Sequence, residues 1–225
     1  MMTVNWNKYE PKTIRDFIYT SVETKKMVAD IANQNIKFPF FGKNGIIIYG
    51  VWGTGKTALA KTLPDTIEHN LTGGDSDYRF VQVKNGNNSV KVIEGIDHLT
   101  TWVQWRASYH YVVIDEVDLL TSSAMDSLKA IMNRSNAIFI MTTNNINVID
   151  KGVINRSVLI DFNAPPAHAW LPKVRRILAD HNITVNSNRT LLDIIEPCNG
   201  SARDIMYAVQ CLVNKIQSKR APIII

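Results

Sequence analysis

The chain has 225 residues, 45% hydrophobic and 20% charged; this excludes chain-wide disorder and leaves room for one large domain or a main domain with a small appendage. No apolar run approaches the roughly 20 residues that span a bilayer, and the amino terminus MMTVNWNKYEPK lacks a signal peptide's apolar core, so a cytoplasmic protein with no membrane partner is expected. The net charge of +5 fits a polyanionic partner such as nucleic acid, and equally a plain solvated basic surface.

Residues 1–20 read as an irregular arm, with a turn of helix over Thr13–Tyr19 after Pro11. Val22, Met27, Val28, Ile31 and Ala32 recur at helical spacing and predict a helix over Ser21–Asn35. A loop with Pro39, Gly42 and Gly45 leads into a buried strand, Ile46–Tyr49, and then a helix from Lys56 to Leu63 that Pro64 is expected to stop. His69–Asp77 is a polar loop, Arg79–Val83 a strand, Asn85–Ser89 a loop, and Ile93–Ala107 a helix packing through Ile96, Leu99, Trp102 and Val103. Apolar strands follow at Tyr111–Ile114, Ala137–Met141 and Val158–Phe162, with a helix at Ala124–Asn133 between the first two. Alternation of apolar β-branched runs with amphipathic stretches predicts an α/β fold with a mostly parallel sheet. Asn163-Ala-Pro-Pro-Ala breaks the pattern. The remainder reads as helices near Trp170–His181, Arg189–Glu196 and Ser201–Lys215, with Ala221–Ile225 as a tail or a core cover. The expected division is an α/β domain over 1–164 and a small helical domain over 165–225. Cys198 and Cys211 lack metal-ligand spacing and are expected to be small buried residues.

Gly50-Val-Trp-Gly53-Thr54-Gly55-Lys56-Thr57 matches the phosphate-binding pattern G-x-x-x-x-G-K-[ST] and stands between a predicted strand and a predicted helix, as the motif requires. Its glycines let consecutive backbone N–H groups face phosphates, and the helix beginning near Lys56–Ala58 turns its positive end to the same point. Lys56 is placed to bridge the β- and γ-phosphates of ATP and Thr57 to bind Mg²⁺ through its hydroxyl. Tyr111-Val-Val-Ile-Asp115-Glu116 is an apolar strand ending in two acids. Ligands gather at the carboxyl edge of a parallel sheet. Asp115 is therefore expected to hold Mg²⁺ and Glu116 to polarise an attacking water; the alternative is a pair of solvated loop acids.

With these two motifs in place, the sequence resembles the AAA+ ATPases, P-loop NTPases with a helical lid, and among them the clamp-loader group of replication factor C small subunits and phage-type sliding-clamp loader subunits. Lys8-Tyr9-Glu-Pro11-Lys-Thr-Ile-Arg-Asp-Phe17 is similar to the arm that packs on adenine in that group, Asp115-Glu-Val-Asp118 to its acidic box, and Ile138–Asn145 to its sensor 1 strand. Arg156 stands where the family carries an arginine finger, and Gly200-Ser-Ala-Arg203-Asp204 resembles the start of its sensor 2 helix. The order holds over roughly residues 6–215. The resemblance implies that Tyr9 and Pro11 line the adenine site, that Asn144 orients water or the γ-phosphate, and that Arg203 contacts the γ-phosphate in cis. It implies that Arg156 acts in trans, which requires an oligomer; the alternative is a local pair with Asp161. Glu10 replaces the family's arginine, Asn155 and Ser157 replace the residues flanking the finger, and Ser201 replaces an aspartate. The family's third, collar-forming helical domain has no counterpart here, so either other contacts or another chain are expected to hold a ring together, or the chain is not a clamp loader in the strict sense.

DNA in that group meets cations without regard to sequence. Lys84, Lys91, Lys129 and Arg134 are candidate contacts, with ordinary surface cations as the alternative. Trp102 and Trp105 are expected in the core, the alternative being a stacking platform for bases, and Phe38, Phe40 and Phe41 in the core or the adenine pocket. The functional expectation is an ATP-hydrolysing replication subunit, clamp-loader-like, with a sliding clamp as partner, in the cytoplasm, on the nucleoid or in a viral replication complex. A helicase loader or initiator, and an inactive ATP-binding scaffold, are the alternatives.

Overall fold

The computed structural model describes residues 5–102 and 104–220. The expected packing of Val103 and the character of the 221–225 tail lie outside the described residues. A short 3₁₀ turn at Trp6–Tyr9 opens the arm, and residues 13–17 form turns rather than helix. Then come α1 (Val22–Ala32), β1 (Gly45–Tyr49), α2 (Lys56–Thr72), β2 (Tyr78–Gln82), α3 (Val90–Thr101), β3 (His110–Asp115), α4 (Ser122–Ile131), β4 (Ala137–Thr143), α5 (Lys151–Asn155) and β5 (Ser157–Asp161). Helices α6 (Leu171–Asp180), α7 (Asn188–Ile195) and α8 (Ala202–Arg220) complete the chain.

The five strands form one parallel sheet in the order β2-β3-β4-β1-β5. The three inner strands are buried on both faces, which is why they read as unbroken apolar runs rather than alternating ones. Period-two alternation divides them between two cores. Ile46, Ile48, Tyr111, Val113, Ile138 and Ile140 pack with Val28, Ile31, Leu59, Leu63 and Ile67 of α1 and α2. Ile47, Val112, Ile114, Phe139 and Met141 pack with Ile93, Leu128, Ile131 and Val153 of α3, α4 and α5. A third core joins Val174, Ile177, Leu191, Ile195, Ile205 and Val209 of the last three helices, and Trp6, Tyr9 and Ile18 of the arm pack against it. Register pairs Ile48 with Thr142 and Ile114 with Met141, so Tyr49, Asp115 and Thr143 finish at one sheet edge.

Two helices depart from expectation. Helix α2 runs through Pro64 to Thr72. An interior proline costs about 3 kcal/mol, but Ile67, one turn beyond it, is fully buried, and such a side chain contributes about 1.5–3 kcal/mol. Glu68, 1% exposed, adds an anchor by accepting hydrogen bonds from Tyr111 Oη, Ser108 N and Oγ, and Thr72 Oγ1. Gly73, at φ +77°, closes the helix. Helix α3 ends at Thr101 rather than at residue 107. Asn136 Nδ2 takes the Thr100 carbonyl, and Gln104 Oε1 accepts from the backbone of Trp105 and Arg106, so side chains displace the helical bonds. Trp102 and Trp105 are consequently 65% and 90% exposed, not core residues. Phe38 is buried in the core, whereas Phe40 and Phe41 face solvent on the turn before β1 and lie outside any pocket described here. Cys198 is half-buried, but Cys211 is exposed on α8, contrary to the expectation of burial.

Candidate nucleotide-binding and catalytic site

A cavity of about 740 Å³ lies between the strand tips, the arm and the helical region. Gly53, Thr54, Gly55, Lys56, Thr57 and Ala58 line it together with Asp115, Glu116, Asn144, Arg203, Tyr9 and Pro11, so nearly all the residues singled out in the sequence converge there. Gly50 sits at the root of the loop, where a Cβ atom would come within 2.5 Å of the Phe162 carbonyl oxygen; only glycine allows this approach. Gly53 lies at φ +76°, and an added Cβ there would collide with the Ser201 hydroxyl just ahead of α8. Arg203 N donates to Gly53 O at 3.4 Å. The helical region therefore rests directly on the loop.

Lys56 is 7% exposed, and its Nζ donates to Gly50 O at 2.9 Å and Val51 O at 2.6 Å. Burial pulls its pKa below the ordinary lysine value, against the opposing pull of Asp115, Asp118 and Glu116. Thr57 Oγ1 donates to Asp115 Oδ1 at 2.8 Å, and Thr142 Oγ1 donates to the same oxygen at 2.6 Å. Asp115 is 5% exposed. A hydroxyl and a carboxylate this close form a hard all-oxygen donor set, which suits a magnesium ion that keeps several waters and takes the rest of its shell from phosphate. Glu116 adopts φ +59°, ψ +48°, a left-handed conformation that costs a residue with a Cβ roughly 1–2 kcal/mol. Its N–H donates to Thr142 Oγ1 at 3.0 Å. Asn144, just past the end of β4, lines the cavity with its side chain in no hydrogen bond among the described residues.

Arg156 stands apart from this cavity. It caps α5, its Nε donating to Asn133 Oδ1 at 3.1 Å and one terminal nitrogen to Gly152 O at 3.0 Å, with no bond to Asp161. The four candidate cations for DNA divide into two pairs. Lys129 is bound to Asp126 at 2.7 Å and Asp150 at 3.5 Å, and Arg134 Nε to Asp97 at 2.9 Å. Lys84 and Lys91 are exposed and make no ion pair among the described residues.

The sequence reading missed several wall residues. Trp6, Ile18, Trp170, Lys173, Met206 and Tyr207 also line the cavity. Burial lowers the Lys173 pKa, partly offset by Asp16. These residues come from three distant segments, and no local pattern marks them. Thr142 was the detectable one: it lies two positions before Asn144, and alternate strand residues share a face.

Residues 46–163 match the family described as "ATPase family associated with various cellular activities (AAA)". The chain is 28% identical over 218 residues to replication factor C small subunit 2 of Pyrobaculum islandicum, covering 91% of this chain and 62% of that protein. It is 25% identical over 211 residues to replication factor C subunit 3 of Saccharomyces cerevisiae, covering 90% and 58%. The chain thus spans about three fifths of the length of these relatives. In fold it is similar to the Thermotoga maritima RuvB Holliday junction branch migration motor, with a TM-score of 0.71 at 12% identity over 95% of this chain and 68% of that one. Among the described residues no helix is long and apolar enough to cross a membrane. With more than half of its length matched, and with the phosphate loop, the paired acids and the helical region meeting in one cavity, this chain belongs to the AAA family of ATPases.

Proposed function

We propose that the chain is an ATP-hydrolysing subunit of a DNA replication assembly of the clamp-loader kind. The observation that carries this reading is the meeting of Thr57 and Asp115 at 2.8 Å beneath the phosphate loop, with Glu116 and Asn144 in the same cavity. In this reading residues 1–164 form the nucleotide-binding unit and 165–225 a lid. The amides of Gly53–Ala58 wrap the phosphates, and Lys56 exchanges loop carbonyls for β- and γ-phosphate oxygens. Thr57 and Asp115 would hold Mg²⁺, which would neutralise charge on the phosphates. Glu116 draws a proton from the attacking water, and Asn144 fixes that water's position. Tyr9 and Pro11 border the base, while Arg203 carries the γ-phosphate's state to the lid it belongs to.

Arg156 serves a neighbouring subunit. Its distance from its own chain's cavity and its place on the cap of α5 support a trans role, in which a guanidinium stabilises charge on the transferring phosphoryl group. The relatives' identity as replication factor C subunits supports DNA, a sliding clamp and sister subunits as partners. Lys84 and Lys91 are ready to meet phosphates, and Lys129 and Arg134 reach them by exchanging carboxylate partners.

The test is turnover of the wild type and Arg156→Ala with primed DNA and a sliding clamp. Joint stimulation of the wild type is expected, together with a loss of about 10³-fold in the variant at unchanged ATP affinity. Stimulation by single-stranded DNA and a hexameric helicase alone would replace the clamp-loader reading with that of a helicase loader. Loss of ATP binding by the monomeric variant would overturn the trans assignment.

A further inference from the structure

Thr142 is 2% exposed in the middle of the sheet, yet both bonds of its hydroxyl serve the acid pair. Oγ1 gives its proton to Asp115 Oδ1 at 2.6 Å and accepts the Glu116 N–H at 3.0 Å. A threonine hydroxyl has a single proton, and the Glu116 amide can only donate, so the direction of both bonds is fixed. Glu116 is held at φ +59°, a conformation that persists only where the surroundings over-determine it. The Leu119 amide secures the carbonyl side of Glu116 at 3.0 Å, and Thr142 secures the amide side.

We propose that Thr142 is a positioning residue for the hydrolytic step, its hydroxyl keeping Asp115 oriented and the Glu116 backbone in the left-handed turn that carries its carboxylate to the cavity wall. The proposal rests on the ATPase reading above. Thr57 cannot substitute, although it donates to the same Asp115 oxygen: in that reading its hydroxyl is needed as a metal ligand. Thr142, enclosed on the adjoining strand, has no ligand to turn toward and stays with the acids. It also joins the strand that ends at Asn144 to the strand that ends at Asp115, so water-orienting and proton-accepting groups are set by one side chain.

The experiment compares Thr142→Val, which replaces the hydroxyl with a methyl group, and Thr142→Ser, which keeps it. Expected for Thr142→Val is a fall in kcat of about 100-fold, within the range for a displaced general base, with affinity for a non-hydrolysable ATP analogue within threefold of wild type. Thr142→Ser is expected to recover kcat to within about fivefold. Amide hydrogen exchange at Glu116 should quicken at least tenfold in Thr142→Val and not in Thr142→Ser. In a Glu116→Gln background, Thr142→Val should lower turnover by a smaller factor than in the wild type, because one of the two groups it positions is already lost. Wild-type turnover in Thr142→Val, a change confined to KM, or failure of Thr142→Ser to rescue would overturn the proposal. Should the wild type hydrolyse no ATP, the ATPase reading fails on its own. The exchange measurement then still decides: unchanged Glu116 exchange in Thr142→Val removes the positioning role.

Discussion

At the strand-tip end of the cavity the walls are Lys56, Thr57, Asp115, Glu116 and Thr142, carried by three neighbouring loops and strands and joined by hydrogen bonds of 2.6–3.0 Å. Elsewhere on the cavity's wall stand Trp6, Tyr9, Ile18, Trp170, Lys173 and Tyr207, drawn from the arm, from α6 and the segment entering it, and from α8, with Trp6 and Tyr9 in ring contact with each other and with His181. Trp6 stacks on His181 with centroids 5.3 Å apart and an interplanar angle of 17°. The first part is polar and directional; the second is mainly aromatic and aliphatic, with Lys173 in the same lining. A polar end fixes where charge is handled, because Lys56, Thr57, Asp115 and Thr142 are each held by directional hydrogen bonds. An apolar wall fits a flat ring by area, and its shape here depends on how the arm packs against the helical region.

The sharpest way to break this contrast is Lys56→Ala. Losing a charge-assisted contact to phosphate costs about 1.5–3 kcal/mol, so ATP affinity is expected to fall roughly 10- to 100-fold by calorimetric titration, with the fold intact by circular dichroism. Unchanged affinity would mean that the polar end does not grip phosphate. The seam between the two ends is probed by paired glycine variants. Gly53 and Gly42 share φ +76°, but an added Cβ meets Ser201 at Gly53 and nothing within 4 Å at Gly42. Gly42→Ala is expected to lose about 1–2 kcal/mol of stability from backbone strain alone. Gly53→Ala should lose at least as much and also weaken ATP binding, since the lid must shift from the loop; equal behaviour of the two would show that the Gly53–Ser201 contact is idle. The smallest effect is expected from Trp6→Ala at the apolar end. Aromatic pairing is worth about 0.5–1.5 kcal/mol, which predicts a three- to tenfold weaker affinity for ATP with kcat preserved. A fall in kcat without a change in affinity would place Trp6 in the chemistry and undo the contrast.

The same division governs how much could be read before the structure. The phosphate loop is local: eight consecutive residues carry glycines where the backbone needs them, a lysine and a threonine, so its role follows from spacing. The acid pair was legible because an apolar strand ending in Asp115-Glu116 has one natural place in a parallel sheet. Pro64 misled because propensity is a near-neighbour effect and the burial of Ile67 and Glu68 beyond it outweighed it. Trp102 and Trp105 misled in the opposite sense, since a helical spacing does not reveal that Asn136 and Gln104 take over the backbone bonds. Lys129 and Arg134 looked like free cations because the carboxylates that bind them include Asp150 and Asp97, distant in sequence.

What the sequence by itself determined is the fold class, the strand and helix succession, and many of the residues that line the cavity, because periodicity and turn geometry act over a few residues. Only the tertiary structure decided the strand order, which puts β3 beside β4 and so brings Thr142 to Asp115 across 27 positions. It also decided that the arm joins the helical core, that Gly53 packs on Ser201, and that Arg156 lies outside the cavity lining, bonded to Asn133 and Gly152. Those facts depend on which surfaces bury one another, and burial is a property of the whole chain that no local window contains.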